Sequence, residues 1–452
     1  MRQRIWLMIA GVLASAVVHA GPARFTPEQL QQDLQAARDF IAVTHPKPDE
    51  WVSAQALQQA MHNAETQLRD PKTRDEAWRI LARMNPVFAD AHLAILQPEW
   101  HGQAREFLQS GGAFFPFEVQ VDASGQLFVR AELGGAASSY ARKRIERING
   151  VAAKQVVDEL LSLMHGDTPE FRAQLLSRRF WFFYWKVYGA PARFDLSVEG
   201  QVLQREASTA QGQALQLGSD APFERMFHLK HLGNDTALLT INTFLWPDTE
   251  AFYAFTTAAF TRLRDEKVKT LLIDVRENGG GDEIWRQGIL RHIADKPFRN
   301  ASTYIKKVIA GRAGAGEKVG DVVHGSATSW EQPQPDNPIR FKGQVYVLVG
   351  GTTYSAATLF ANAVQDFGFG KLVGAAGYAR ARQSGGVQSR TLPNTGLEVV
   401  SPRFILDRPS GLREPVLLQP DIVLPDDPFN PQGLVDALLA RLRTLPARTA
   451  SR

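Results

Sequence analysis

The segment VYVLVGGTTYSAATLFANAVQDF, residues 345–367, decides the fold of this chain. Its first five residues are apolar or aromatic, which predicts a β-strand buried on both faces of a sheet. A loop of two glycines, two threonines and a tyrosine follows, and the apolar spacing over residues 355–367 predicts an amphipathic helix. Ser355 therefore stands at a strand–loop–helix turn, beside the first unbonded N–H groups of a helix.

Two roles are open to a serine at such a turn. It can be the nucleophile of a hydrolase, because helix N–H groups beside its hydroxyl suit the stabilisation of an oxyanion. It can also be only the N-cap of the helix, a role that serine often fills. Ser355 alone favours the N-cap, so the rest of the sequence has to separate the two roles.

A second apolar strand, VKTLLIDV at residues 268–275, ends in the loop RENGGG at residues 276–281. Three consecutive glycines permit backbone conformations that other residues avoid, and their N–H groups can face an anion or an oxyanion. The loop also fits a phosphate cradle or a plain tight turn. The sequence here matches neither the dinucleotide fingerprint nor a P-loop, since no Lys-Ser or Lys-Thr pair follows the glycines.

Strands and helices continue to alternate around these two strands. A further strand is predicted at residues 237–241, with helices at 249–264 and 282–293. This alternation predicts an α/β fold with a βαβ core. Residues 310–340 are rich in glycine, proline and polar residues and are predicted to form a long irregular insertion, of the kind that is often a lid or a disordered segment.

Three motifs, in this order, resemble those of the tail-specific, or C-terminal processing, serine peptidases. They are DVRENGGG at 274–281, the turn at Ser355 with KLVG at 371–374, and EPVLLQPDI at 414–422. Residues 145–161 are more loosely similar to part of a PDZ domain. The resemblance implies a βαβ catalytic core of the ClpP/crotonase-like type with Ser355 as the nucleophile.

The resemblance also implies a division of the chain. Its length suits two or three domains. The predicted parts are a signal peptide at 1–20, an N-terminal helical region at 21–110, a degenerate PDZ-like α+β module at 111–226, a serine peptidase catalytic domain at 227–430, and a C-terminal helix and tail at 431–452. An aromatic run, FWFFYW at residues 180–185, predicts packing in the core or between domains, with an exposed ligand surface as the alternative.

The chain differs from the best-known branch of that family at the position of the base that would activate Ser355, and this difference guides the prediction of the base. Those peptidases use a downstream lysine, where this chain has Arg380, and an arginine stays protonated. Lys371 belongs to a strand start instead. The chain is similar to a second branch, with a Ser–His–Glu site as in the tricorn core, and this implies His92 as the general base and Glu414 as the group that orients it.

Alternatives remain open for these side chains. Asp90 is a second candidate for the role of Glu414. His92 could instead pack against a helix end, and Glu414 could pair with Arg413 at the surface. The oxyanion donors would be the backbone N–H group of Ala356 and that of either Gly279 or Gly280, and the sequence does not separate the two glycines.

Composition and the first residues predict an exported protein. Arg2 and Arg4, the apolar run at 5–18 and Val18-His19-Ala20 together resemble a secretory signal, which predicts a periplasmic or secreted protein without stable membrane insertion. The chain has no cysteine, so disulfides and thiolate chemistry are excluded. A net charge of +4 without a dense Lys/Arg run argues against a nucleic-acid partner.

The sequence therefore predicts an exported serine-type endopeptidase that hydrolyses peptide or protein substrates through an acyl-enzyme on Ser355. No cofactor is expected, and no metal is expected because the sequence has no His-Glu-x-x-His motif. Two other functions fit the same fold: a non-catalytic protein that binds peptides or small ligands, and an acyl hydrolase of non-peptide esters.

Overall fold

The computed structural model describes residues 23–210 and 221–444. The predicted signal peptide, residues 1–20, lies outside the described residues. The described chain begins with a helical region whose first helix has a capping box: Thr26 accepts from the Gln29 N–H, and the Gln29 side chain accepts from the Thr26 N–H. The elements of this region are β1 (Arg24–Phe25), α1 (Pro27–Thr44), α2 (Ala54–Gln67), β2 (Lys72–Thr73), α3 (Arg74–Leu81), a 3₁₀ turn (Ala82–Met84), α4 (Asn85–Phe88), β3 (Ala94–Leu96) and α5 (Trp100–Gln109).

An antiparallel sheet with two helices follows. Its elements are β4 (Phe117–Val121), β5 (Leu127–Glu132), β6 (Arg144–Ile148), β7 (Val151–Ala152), α6 (Ala153–Leu161), α7 (Pro169–Tyr188), β8 (Arg193–Val198) and β9 (Gln201–Glu206). The strand order is β4-β5-β6-β8-β9, with β7 beside β6. The aromatic run of residues 180–185 lies in α7, and five of its six side chains are buried, which confirms the predicted core packing.

The βαβ core is a six-stranded sheet in the order β10-β11-β12-β15-β16-β21, parallel except for β10 at its edge. The elements of this part are α8 (Phe223–Met226), β10 (Phe227–Gly233), β11 (Thr236–Ile241), α9 (Thr249–Asp265), β12 (Thr270–Asp274), α10 (Glu283–Ile293), β13 (Thr303–Lys307), β14 (Val322–Ser326), β15 (Gln344–Val349), α11 (Ala356–Asp366), β16 (Lys371–Gly374), β17 (Gln383–Gly385), β18 (Gln388–Thr391), β19 (Glu398–Ser401), β20 (Phe404–Leu406), β21 (Ile422–Val423) and α12 (Pro431–Thr444).

Strand β15 is buried on both faces of this sheet, as its apolar sequence predicted. Its three valines pack into the core formed with α9, α10 and α11, whereas Tyr346 and Leu348 pack against α12 on the other face. Burying each such side chain stabilises the fold by about 1.5–3 kcal/mol. Because β12 and β15 are adjacent and parallel, the loops that follow them meet at one edge of the sheet.

The insertion at residues 310–340 is more regular than predicted. Strand β14 lies within it and pairs with β13, in a four-stranded sheet of order β14-β13-β20-β17. Strand β14 is only five residues long and largely exposed, so it has little of the apolar pattern that would predict a strand within a segment rich in glycine and proline. The prediction of a wholly irregular segment was therefore wrong over β14.

The helical region is fastened to the βαβ part by backbone pairing. Strand β3 pairs with β19, which forms a hairpin with β18. Asp33 of α1 accepts from the N–H groups of Asn394 and Thr395 at 2.9 and 2.8 Å. This pairing holds the residues that precede β3, including His92, against the part of the chain that carries Ser355. Among the described residues, none of the helices is both long and apolar enough to span a membrane.

Candidate active site

Ser355 occupies a strained turn and does not cap its helix. Its φ and ψ are 55° and −122°, values that a non-glycine residue rarely adopts, and its side chain makes no capping hydrogen bond to α11. The preceding loop is braced against the neighbouring strand, since Thr353 Oγ1 donates to Val275 O at 2.8 Å and the Tyr354 N–H donates to Asn278 O at 3.1 Å. The N-cap interpretation therefore fails, and the hydroxyl is left for another partner.

The glycine loop after β12 lies directly against this turn. Gly280 has a φ of +106°, and a Cβ added to it would lie 2.5 Å from Ser355 Cβ and 2.9 Å from Tyr354 O. Gly281 has a φ of +140°, and a Cβ there would lie 2.0 Å from Phe244 O. Only glycine fits this close approach of two loops.

The structure of this loop shows which of Gly279 and Gly280 has a backbone N–H free to donate to an oxyanion, a question that the sequence left open. The Gly280 N–H donates to Asn278 Oδ1 at 2.9 Å, so it is already engaged. The Gly279 N–H has no acceptor within the described residues, and a Cβ on Gly279 would meet no atom within 4 Å. Ala356 is the first residue of α11, where a backbone N–H has no intrahelical partner. Gly279 and Ala356 are therefore the available oxyanion donors.

His92 reaches Ser355 from the helical region. Its Nε2 lies 3.0 Å from Ser355 Oγ, and its ring centroid lies 4.8 Å from that of Tyr354. Burial lowers the pKa of His92, although the charge of Asp90 opposes this shift. A pKa below the usual value keeps the imidazole neutral at neutral pH, as a general base must be.

The other ring nitrogen faces a serine that sequence reasoning missed. His92 Nδ1 lies 3.0 Å from Ser384 Oγ, and the Ser384 hydroxyl lies 2.7 Å from Asp90 Oδ1. A carboxylate can only accept, so Ser384 donates to Asp90 and accepts from His92. Nδ1 therefore carries the imidazole proton, and Nε2 offers its lone pair to the Ser355 hydroxyl.

Asp90 is held in its ionised form by its surroundings. Burial raises the pKa of Asp90, but the nearby His45 and His92, whose positive charge when protonated favours the carboxylate, and the hydrogen bond from Ser384 outweigh it, so the net shift is downward. His45 Nδ1 accepts from the Lys47 N–H at 3.1 Å, so the ring proton is on Nε2, which lies 3.8 Å from Asp90 Oδ2. The Asp90 carboxylate also accepts from the His92 N–H at 2.8 Å.

Glu414 is not brought to this site. It is exposed, and within the described residues no hydrogen bond or ion pair joins it to His92. The place beside Nδ1 is taken by Ser384, with Asp90, the second candidate from the sequence, behind it. The expectation that Glu414 orients the imidazole is therefore not met, and neither is its pairing with Arg413, which lies 3.8 Å from Asp407.

The residue at the expected lysine position has a structural role. Arg380 Nη1 donates to Ala89 O at 2.6 Å and Nη2 donates to Asp167 O at 3.0 Å. Lys371 begins β16, as predicted, and its side chain is exposed. Within the described residues no group of three or more His, Asp and Glu side chains is arranged to hold a metal ion.

Sequence signals for Ser384 and Asp167 were weak. Ser384 lies four residues after Arg380, in a three-residue strand that no periodicity marks. Asp167 precedes the Thr168-Pro169 start of α7, so its sequence context indicates only a helix cap. Neither residue belongs to a motif, and only the fold brings them to the site.

Comparison with known proteins identifies the domain that carries Ser355. Residues 235–423 match the model of peptidase family S41. The chain therefore carries a peptidase family S41 domain, and the resemblance drawn from the three motifs is confirmed at the level of the family. S41 is a family of serine peptidases, so this domain supports serine peptidase function. His92 and Asp90 lie outside the matched residues.

Solved structures share the fold. The chain is similar to mature CPAF, with a TM-score of 0.64 and 16% identity over 91% of this chain and 96% of that chain. It is similar to mature CPAF complexed with lactacystin, with a TM-score of 0.63 and 16% identity over 92% of this chain and 98% of that chain. It is also similar to a serine-to-alanine variant of CPAF, with a TM-score of 0.66 and 14% identity over 94% of this chain and 100% of that chain. These identities show a common α/β fold alone. No curated protein matched the sequence of the chain.

The contact between the two loops predicts different effects at neighbouring glycines. Gly280→Ala forces a Cβ against Ser355 at a positive φ, which should cost about 2 kcal/mol or more. This should lower Tm by roughly 4–8 °C, measured by circular dichroism. Gly279→Ala is the matched control, because its Cβ enters open space. Equal Tm values for the two variants would contradict the close approach described here.

Proposed function

We propose that this protein is an exported serine peptidase that hydrolyses peptide bonds through an acyl-enzyme on Ser355. The observation that carries the proposal is the directional chain of hydrogen bonds Asp90, Ser384, His92, Ser355, with distances of 2.7, 3.0 and 3.0 Å. It ends on a serine in a strained turn of an S41 domain. A serine that serves only packing has no need of an oriented, neutral imidazole at its hydroxyl.

The chain of hydrogen bonds supports a complete acyl transfer. Ser355 Oγ attacks the peptide carbonyl carbon while His92 Nε2 takes the hydroxyl proton. The tetrahedral oxyanion that forms can accept from the N–H groups of Gly279 and Ala356. When the C–N bond breaks, His92 returns the proton to the leaving amine. Water then attacks the ester with the same base, which releases the acid and restores Ser355.

Ser384 and Asp90 support this cycle through His92. Once Nε2 is protonated, the imidazolium still donates its Nδ1–H to the Ser384 hydroxyl, which in turn donates to the ionised Asp90 carboxylate. The buried negative charge stabilises the imidazolium and fixes the ring orientation. Asp90 thus has the role that the sequence assigned first to Glu414.

The export part of the proposal depends on the sequence. Residues 1–20 have the charged start, apolar run and small-residue cleavage site of a secretory signal. The substrates of an S41 peptidase domain are peptides or proteins, so an exported member would meet them outside the cytoplasm. Secretion of a fusion between these residues and a reporter enzyme tests this part separately.

Covalent labelling tests the nucleophile. A fluorophosphonate probe should attach to the tryptic peptide that contains Ser355, and Ser355→Ala should lose both labelling and cleavage of an unfolded protein substrate. Lactacystin, which is bound in a solved structure of mature CPAF, is a second probe. Circular dichroism should show an unchanged fold. A folded Ser355→Ala variant that cleaves at the wild-type rate would end the proposal, and cleavage of esters but not peptides would favour an acyl hydrolase.

A pair of variants tests which group orients His92. Ser384→Ala removes the hydroxyl that accepts from Nδ1–H and joins it to Asp90, so kcat should fall by about 10²-fold or more because the imidazole loses the link to the carboxylate. Glu414→Gln should keep kcat within about twofold, since surface changes of this kind have small effects. Steady-state kinetics on one peptide substrate measures both. A large loss of kcat in Glu414→Gln with little loss in Ser384→Ala would contradict this assignment and indicate that Glu414 orients His92.

The pH dependence of kcat/KM follows from the shifts at His92. Activity needs the neutral imidazole and falls as pH falls through its pKa, which burial lowers. The acid limb should therefore have a midpoint below about 6.5, the ordinary histidine value. Asp90 raises the pKa of His92, so Asp90→Asn should move the limb to still lower pH while lowering kcat. A limb that moves to higher pH in a folded Asp90→Asn variant would contradict this assignment.

A further inference from the structure

One buried carboxylate touches the residues that precede both members of the catalytic pair. Asp167 Oδ1 accepts from the Tyr354 hydroxyl at 2.8 Å and from the Ala91 N–H at 3.2 Å. Tyr354 comes immediately before Ser355 in the chain, and Ala91 comes immediately before His92. A single oxygen atom therefore links the nucleophile's segment to the base's segment.

The base's segment depends on contacts from outside because it has little structure of its own. Residues 89–93 connect α4 to β3, and Ala89 has φ and ψ of 50° and 37° in the left-handed region. Arg380 Nη1 donates to Ala89 O, and His165 Nδ1 lies 2.9 Å from Ala91 O. Together with Asp167, these side chains hold the backbone on both sides of Asp90.

Asp167 is itself fixed at its other oxygen and at the next residue. Oδ2 accepts from the Arg380 N–H at 2.9 Å, and Arg380 Nη1 lies 3.7 Å from Oδ1. Thr168 Oγ1 donates to Tyr378 O at 2.9 Å, and the Arg380 guanidinium lies 4.5 Å from the centre of the Trp51 ring. The start of α7 is thereby fastened to the segment that carries Ser384.

We infer that Asp167 is a positioning residue that sets the separation of His92 and Ser355, an inference that rests on the proposed function. The His92–Ser355 contact joins two loops, and the Asp167 carboxylate accepts hydrogen bonds from both of them. Catalytic groups have to be held to within about 0.5 Å of their working geometry. A misplacement of about 1 Å can cost about 10²-fold in rate.

The charges around Asp167 suit this role. Burial and the charge of Asp90 raise the pKa of Asp167, whereas Arg380 opposes the shift. Burial and the charge of Asp167 raise the pKa of Tyr354, so the phenol keeps its proton and remains a donor. The ion pair with Arg380 thus helps to keep the carboxylate ionised, so that it can accept at both oxygens.

The substitution Asp167→Asn tests the inference with little change in size. The amide has one acceptor oxygen in place of two, so it cannot serve Tyr354, Ala91 and Arg380 together. We expect kcat and the rate of phosphonate labelling at Ser355 to fall by about 10²-fold, with KM within about twofold. Glu170→Gln is the matched control: it makes the same chemical change three residues away on the exposed first turn of α7, and should keep wild-type kcat.

A double-mutant cycle distinguishes positioning from a general loss of stability. Tyr354→Phe removes one donor to Asp167 and should lower kcat by less than Asp167→Asn does. The double variant should be no slower than Asp167→Asn alone, because the Tyr354 hydroxyl acts through that carboxylate. All kinetics are measured well below the Tm of each folded variant.

The outcomes separate this inference from the proposed function. If wild-type protein is labelled at Ser355 and folded Asp167→Asn keeps the wild-type kcat and labelling rate, the inference is overturned and the proposed function stands. Purely additive losses in the double variant would also overturn it. If the wild-type protein is neither labelled nor active, the proposed function itself fails, and the inference fails with it.

Discussion

The hydrogen bond from the Ser384 hydroxyl to the Asp90 carboxylate is the interaction on which the site depends. Because the carboxylate can only accept, this one bond of 2.7 Å fixes the direction of every bond after it. Ser384 must then accept from His92 Nδ1, and Nε2 must accept from Ser355. The buried, ionised Asp90 carboxylate thus determines, through Ser384, that the Ser355 hydroxyl faces the lone pair of His92 Nε2 and not an N–H group.

Three segments far apart in the chain have to meet for this arrangement. Asp90 and His92 belong to the helical region, Ser355 follows a central parallel strand, and Ser384 lies in a short strand beyond it. The pairing of β3 with β19 holds the first of these against the part of the chain that carries the second. Asp167, just before α7, accepts hydrogen bonds from both segments, through Ala91 and Tyr354. The site therefore needs residues from the helical region and from the segment before α7 as well as from the S41 domain.

The sequence could predict the parts of this site that local physics determines. The apolar segment at 345–349 reflects burial on two faces, and Gly280 and Gly281 occupy a backbone that only glycine permits. The turn at Ser355 is likewise a local feature, between a strand and a helix. His92 was reached through resemblance and the absence of a usable lysine. Ser384 and Asp167 could not be predicted because their roles arise from tertiary contacts. Glu414 was predicted because it lies in a family-like motif, but the fold leaves its side chain exposed.

The tautomer of His92 tests the central claim most directly. Imidazole nitrogen chemical shifts can be recorded by NMR on protein labelled with ¹⁵N-histidine at neutral pH, with His92 assigned from its absence in a His92→Gln variant. The hydrogen-bond chain predicts a neutral ring with the proton on Nδ1 and an unprotonated Nε2. A proton on Nε2 in the neutral ring, or a charged imidazolium at neutral pH, would contradict the account.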